Sequence, residues 1–193
     1  MHQPDALFSG LQPAAVWKHF ATLCRIPRAS KQEAALRDAL LTWARGRGVG
    51  AEIDPAGNLI IRKPATPGRE HCPGVVLQAH LDMVCQKNSD SAHDFSRDPI
   101  SPDYREGWLV AEKTTLGADN GIGVALILAV LESDDIVHGP IEALLTVDEE
   151  AGMGGARGLA SDVLQGSLML NLDTEDWGEF YLGCAGGLDV NVA

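Results

Sequence analysis

One histidine and several acids stand where apolar segments of this chain stop. Gln78-Ala79-His80-Leu81-Asp82 follows Val75, Val76 and Leu77, while Asp148-Glu149-Glu150 follows the run from Ile141 to Val147. Asp173 closes the run Leu168 to Leu172, and Asp119 lies between glycine-rich turns ahead of a helical pattern. If the three apolar runs are parallel neighbours in one sheet, their carboxyl ends share an edge, which is where open α/β sheets build their sites. Carboxylates gathered out of water repel one another and resist desolvation, so such a cluster beside an imidazole calls for a cation. These residues therefore read as a metal site.

Zinc accepts imidazole nitrogen and carboxylate oxygen, and two such ions roughly 3.5–4 Å apart can share a bridging carboxylate. Asp119 is the natural bridge, with His80 and Asp173 completing one ion and Glu150 serving the other. Asp82, two residues from His80, is placed to hold the imidazole so that its opposite nitrogen faces metal. Glu149, beside a ligand but free of metal, is placed to take a proton from water and return it to a leaving amine. Each residue taken alone has a plainer reading: a half-buried histidine, a helix cap at Asp119, solvated charges at Glu149 and Glu150, a turn former at Asp173. Their coincidence on one expected edge outweighs those readings. The remaining histidines, including His19, are expected at the surface.

The elements that must position this edge follow from hydrophobic spacing. Val16, Trp17, Phe20, Leu23 and Cys24 form a helical stripe after Pro13. Ser30-Lys31-Gln32-Glu33 has the form of a capping box, opening a second helix with Leu36, Leu40 and Trp43 on one face. Val49–Asp54 and Leu59–Arg62 flank a turn-rich stretch and predict a hairpin. Gly74–Ala79 is a strand, and the long irregular segment to Lys113 includes a short β pair near Ile100 and 108–111. Ile122–Leu131 is an apolar, buried helix with Asn120 as N-cap. Ile141–Val147 is a strand, 156–164 a short helix, Ser167–Leu172 a strand, and two more strands are expected at 179–184 and 188–192. Alternating strands and helices call for parallel pairing. The expected fold is an α/β three-layer α/β/α sandwich with a mostly parallel mixed sheet.

At 193 residues and 45% hydrophobic content the chain can bury one good core. A net charge of -12 excludes nucleic acid as a partner class, because phosphate binding rests on Lys and Arg clusters. No apolar run approaches the roughly 20 residues that span a bilayer, so no membrane association and a cytoplasmic location are expected. Four scattered cysteines, with no Cys-x-x-Cys pair, suit reduced thiols.

Several runs carry a resemblance. Val76 to Asn88, His93-Asp94-Phe95, Asp98-Pro99-Ile100, Thr114 to Gly123, Glu149 to Met153 and Gly183 to Gly187 resemble the two-zinc metallopeptidases that include carboxypeptidases, deacylases and dipeptidases. The resemblance implies His80, Asp119, Glu150 and Asp173 as zinc ligands, Glu149 as general base and Asp82 as the residue that orients His80. It implies two Zn2+ ions, with Mn2+ or Co2+ possible on the same donors, and dipeptides of the Xaa-His type as substrates. Members of this family run on past residue 193 through an inserted lid domain used for homodimerisation, then return to the metal domain for a last His ligand. Residues 1–193 are thus expected to be the N-terminal portion of a catalytic domain, without that lid. Deacylation of N-acyl amino acids by the same machinery, or an inactive metal-binding fragment, are the alternatives. One departure is Glu112-Lys113, where relatives tend to have a small residue such as glycine.

Overall fold

The computed structural model of the chain describes residues 7–174, 176 and 178–183. Helices α1 (Ala14–Arg25) and α2 (Ala34–Gly46) precede a hairpin of β1 (Gly50–Ile53) and β2 (Leu59–Lys63). The hairpin turn is tied by Asp54, whose Oδ1 accepts the Asn58 N–H at 2.8 Å. Strand β3 (Val75–His80) is followed by a separate two-stranded sheet of β4 (Pro102–Arg105) and β5 (Trp108–Ala111). Helix α3 (Ala118–Glu132), strand β6 (Ile141–Thr146), a single turn α4 (Gly154–Arg157) and strand β7 (Leu168–Asn171) complete the order.

The main sheet runs β1-β2-β6-β3-β7. β3 pairs in parallel with both β6 and β7, whereas β2 is antiparallel to β1 and to β6. The sheet is therefore mixed, and its parallel part is the trio of strands that the apolar runs predicted. In the β3–β6 register His80 lies opposite Thr146, so both strands end at one level.

Alternation along the strands sorts side chains to two faces. Leu59, Ile61, Ala79, Ala143 and Leu145 join the large core under the helices, while Ile60, Val76 and Leu144 face the other way. α1 packs on α3, α3 packs on β3, and α2 packs on β1 and β2. β6 is buried along its whole length, as a central strand covered on both faces must be. The second face carries a thinner layer, Leu159, Val163 and Leu164 from the segment after α4.

Local expectations changed in five places. Ser30 and Glu33 do not form a capping box: α2 begins at Ala34 without a side-chain cap, because both side chains reach across to distant turns. His19 is buried, with Nε2 2.6 Å from Glu132 Oε2, since it lies on the inner side of α1 against α3. The helix expected over 156–164 stops at Arg157; beyond Gly158 the chain flattens to cover the second sheet face, and the Glu142 carboxylate anchors it through the N–H groups of Gln165 and Gly166. Asn120 is not the cap: the N-cap position of α3 is Gly117, and no side chain caps the helix there. Residues 179–183 form no strand, and 184 and 188–192 lie outside the described residues. Lys113 takes φ +63, a conformation glycine adopts without a Cβ penalty.

Candidate metal centre

The parallel trio delivers the site. β3 ends at His80, the turn after β6 carries Asp148, Glu149 and Glu150, and Asp173 follows β7 by two residues. Asp119 arrives from the opposite side, on the turn that opens α3, where Asp119 and Asn120 still have non-helical backbone angles. His80 Nε2 lies 2.9 Å from Asp119 Oδ1, 3.7 Å from Asp173 Oδ1 and 4.0 Å from Glu149 Oε2. Donor atoms of His80, Asp119 and Asp173 sit within 4.8 Å of one another, and so do those of His80, Glu149 and Glu150. Five of the six residues singled out from the sequence therefore meet in these two groups, and His80 is common to both. The second group holds Glu149 together with Glu150.

Asp82 lies behind the imidazole. Its backbone carbonyl is 3.1 Å and its carboxylate 3.3 Å from His80 Nδ1, which leaves Nε2 facing the acids. The same carboxylate accepts the Ser30 hydroxyl at 2.7 Å and the N–H groups of Glu149 and Glu150, each at 3.1 Å. The neighbouring N–H of Asp148, a residue at φ +56, donates to Glu33 Oε1 at 2.8 Å. Three successive amides of the acidic turn are thus held by buried carboxylates. A turn whose amides are captured in this way presents its side chains in one orientation.

A third tie is Arg28, buried between α1 and α2. Its Nη1 donates to the carbonyls of Leu81 at 2.9 Å and Asp82 at 3.0 Å, and its Nη2 donates to the carbonyl of Gly117. Gly117 has φ +72, and a Cβ there would meet Arg28 Nη2 at 2.5 Å and Met83 Sδ at 2.7 Å, so only glycine lets the turn approach the guanidinium. Arg28, Ser30 and Glu33 were not legible as site residues. Their only sequence signal, a Ser and a Glu three apart before a helix, pointed to capping.

The electrostatics match a site short of positive charge. Burial pulls the His80 imidazolium down, but its contact with the Asp82 carboxylate and the charges of Asp173 and Asp119 outweigh this and lift it to about 9. Burial also works against the Asp82 carboxylate, yet His80, Ser30 and the amides of Glu149 and Glu150 hold it at about 2. Glu149, Glu150 and Asp173 are all pushed up, first by desolvation and then by the other acids, with His80 opposing. Glu150 Oε1 is buried without a partner. An orphaned carboxylate oxygen, clustered acids and an imidazole whose Nε2 is turned toward them form a donor set that fits divalent cations of the zinc type.

Comparison with known proteins bears on the chain as a whole. Residues 76–187 match the model of peptidase family M20/M25/M40. The chain is 53% identical over 181 residues to the cytosol non-specific dipeptidase of Escherichia coli (strain K12), covering 94% of this chain and 37% of that protein. The crystal structure of aminoacylhistidine dipeptidase from Vibrio alginolyticus superposes with a TM-score of 0.90 at 56% identity, over 92% of this chain and 36% of that one. An aminopeptidase from Bacillus cereus superposes with a TM-score of 0.71 at 26% identity, over 84% of this chain and 43% of that one. The chain thus spans little more than a third of the length of the two dipeptidases it matches.

Proposed function

Because the chain belongs to peptidase family M20/M25/M40, we propose that it carries the metal-holding and proton-transferring part of a dipeptidase active site. The observation that carries this reading is the convergence of His80 with Asp119, Asp173, Glu149 and Glu150 at one sheet edge. His80 and Asp173 would hold one cation and Glu150 the other, with the Asp119 carboxylate available to both. Zn2+ is the proposed ion, and Mn2+ or Co2+ suit the same donors. When bound, the cations polarise the scissile carbonyl and acidify a water molecule.

The chain's own residues do the rest. Asp82 fixes the His80 ring through Nδ1, so that Nε2 is the nitrogen turned toward Asp119 and the other acids. Glu149, with its affinity for protons raised by burial and neighbouring acids, takes the proton of the attacking water and passes it to the departing amine. That raised affinity suits a group that must both accept and release a proton near neutral pH.

The proposed substrates are dipeptides, in keeping with the names of both dipeptidase relatives, and the Xaa-His type in keeping with the name of the Vibrio alginolyticus protein. In this reading residues 1–193 form the N-terminal portion of a catalytic domain, and the last His ligand and the lid lie outside them. A cytoplasmic location is proposed on the name of the Escherichia coli relative; no helix among the described residues is long and apolar enough to cross a membrane, and Cys24, Cys72 and Cys85 are free thiols. The test compares Glu149→Ala with His80→Ala. In a protein that also carries the last His ligand and the lid, Glu149→Ala should retain bound zinc and lose dipeptide turnover, while His80→Ala should lose zinc. Equal zinc loss in both would contradict the separate roles, and faster turnover of an N-acetyl amino acid than of a Xaa-His dipeptide would make the protein a deacylase.

A further inference from the structure

We propose that Arg28 is a positioning residue that sets the separation between His80 and Asp119. The proposal rests on the metal-binding reading above. One guanidinium joins two turns that are far apart in sequence: Nη1 holds the carbonyls of Leu81 and Asp82, and Nη2 holds that of Gly117, two residues before Asp119. The Asp82 carbonyl that accepts from Arg28 at 3.0 Å is the one that lies 3.1 Å from His80 Nδ1, so the clamp acts on the atom that orients the ring. The backbone N–H of Met83 donates in return to the Arg28 carbonyl at 3.2 Å, which fastens the arginine's own main chain to the same turn.

The choice of arginine follows from the geometry. Three carbonyls on two turns require a planar fork with donors on both arms, which a lysine ammonium, a single point at the end of a flexible stem, does not offer. Glycine at 117 keeps the turn close enough to reach, and glycine at 121 does the same on the far side, where a Cβ would meet Nη2 at 2.8 Å. Burial disfavours the guanidinium charge, and the nearby charges of Asp82 and Asp119 offset part of that penalty. The cation thus reaches the Nδ1 side of His80 through the Asp82 carbonyl, away from Nε2.

The test is metal binding by the whole chain, stripped with a chelator and titrated with Zn2+ in competition with a chromophoric chelator, and separately with Co2+ followed by its visible absorption. Arg28→Lys should weaken Zn2+ binding by roughly 10–100-fold, the usual consequence of losing a group that orients a ligand, and should change the shape of the Co2+ bands. Leu40→Ala, a core truncation under α2, should lower thermal stability while leaving affinity and bands as in the wild type. Arg28→Gln, which keeps a planar donor, replaces the lysine variant if that one does not fold. Wild-type Zn2+ affinity and Co2+ bands in a folded Arg28 variant overturn the proposal, even if its melting temperature drops. His80→Ala is the separate check on the site: if it binds Zn2+ as well as the wild type, the metal reading itself fails and the positioning role falls with it.

Discussion

Replacing Asp82 by asparagine tests the frame of the site through one atom. The carboxylate is fully buried, and Oδ2 accepts both the Ser30 hydroxyl and the Glu150 N–H, while Oδ1 accepts the Glu149 N–H beside His80 Nδ1. Whichever way an asparagine amide turns, its NH2 faces groups that donate. Losing two hydrogen bonds to a charged acceptor, at about 1.5–3 kcal/mol each, sets an upper bound near 6 kcal/mol. The carboxylate's displacement from 3.8 to about 2, at about 1.4 kcal/mol per unit, gives a net value of about 2–3 kcal/mol. The net value already includes the desolvation that asparagine escapes, so the expected loss is about 3 kcal/mol. In a chain of this size that lowers the melting temperature by about 6–12 °C. Urea unfolding of the metal-free protein measures it. The contribution is fully present above the unfolded value of 3.8 and fades as pH falls towards 2, so the wild-type and Asp82→Asn curves should converge in acid. A loss below about 1 kcal/mol at pH 7, the size of a lone neutral hydrogen bond, or curves that stay parallel in acid, would refute the reasoning.

Three further outcomes are expected. Gly117→Ala combines a left-handed backbone penalty of about 1–2 kcal/mol with overpacking against Arg28 and Met83 of about 1–3 kcal/mol; urea midpoints unchanged from wild type would remove the close approach as a constraint. Leu145→Ala, at a fully buried position of β6, should lower stability by about 2–5 kcal/mol, and a smaller loss in chemical unfolding would mean the site collapses to fill the space. Burial lowers the titration of His19 below 6.5 despite Glu132, so the unfolded chain takes up the proton first and stability is lost as pH falls from 7.5 to 5.5. Subtracting a His19→Gln unfolding series isolates this slope from His80, whose shift has the opposite sign; a difference curve that is flat or rises toward acid would count against it.

The acids and the histidine were legible because the sheet forces them together. Runs such as Ile141–Val147 are too apolar and too short to be anything but buried strands, and parallel strands bring their ends to one rim. Asp173 and Glu149 could thus be placed without knowing a single contact. Arg28, Ser30 and Glu33 lie in the connection between two helices, where no periodicity operates. Ser30 and Glu33 even matched a local pattern, but Asp82 and the Asp148 amide, distant in sequence, offered buried partners that a solvated helix end could not. The same competition explains the shortened α4: helix spacing at 156–164 was present, but covering Ile60, Val76 and Leu144 drew Leu159, Val163 and Leu164 into an irregular path. His19 was misplaced because its partner, Glu132, lies on another helix.

The pairing of His80 with Thr146 has a consequence for how this site can vary. Successive residues of a strand point to opposite faces, so the imidazole's direction depends on whether an odd or even number of residues separates it from the strand's start. An insertion of one residue inside β3 would turn the ring away from the acids, whereas the same insertion in the loop 64–74 would leave it in place. Length changes near this centre are therefore governed by parity within strands and by little more than reach outside them.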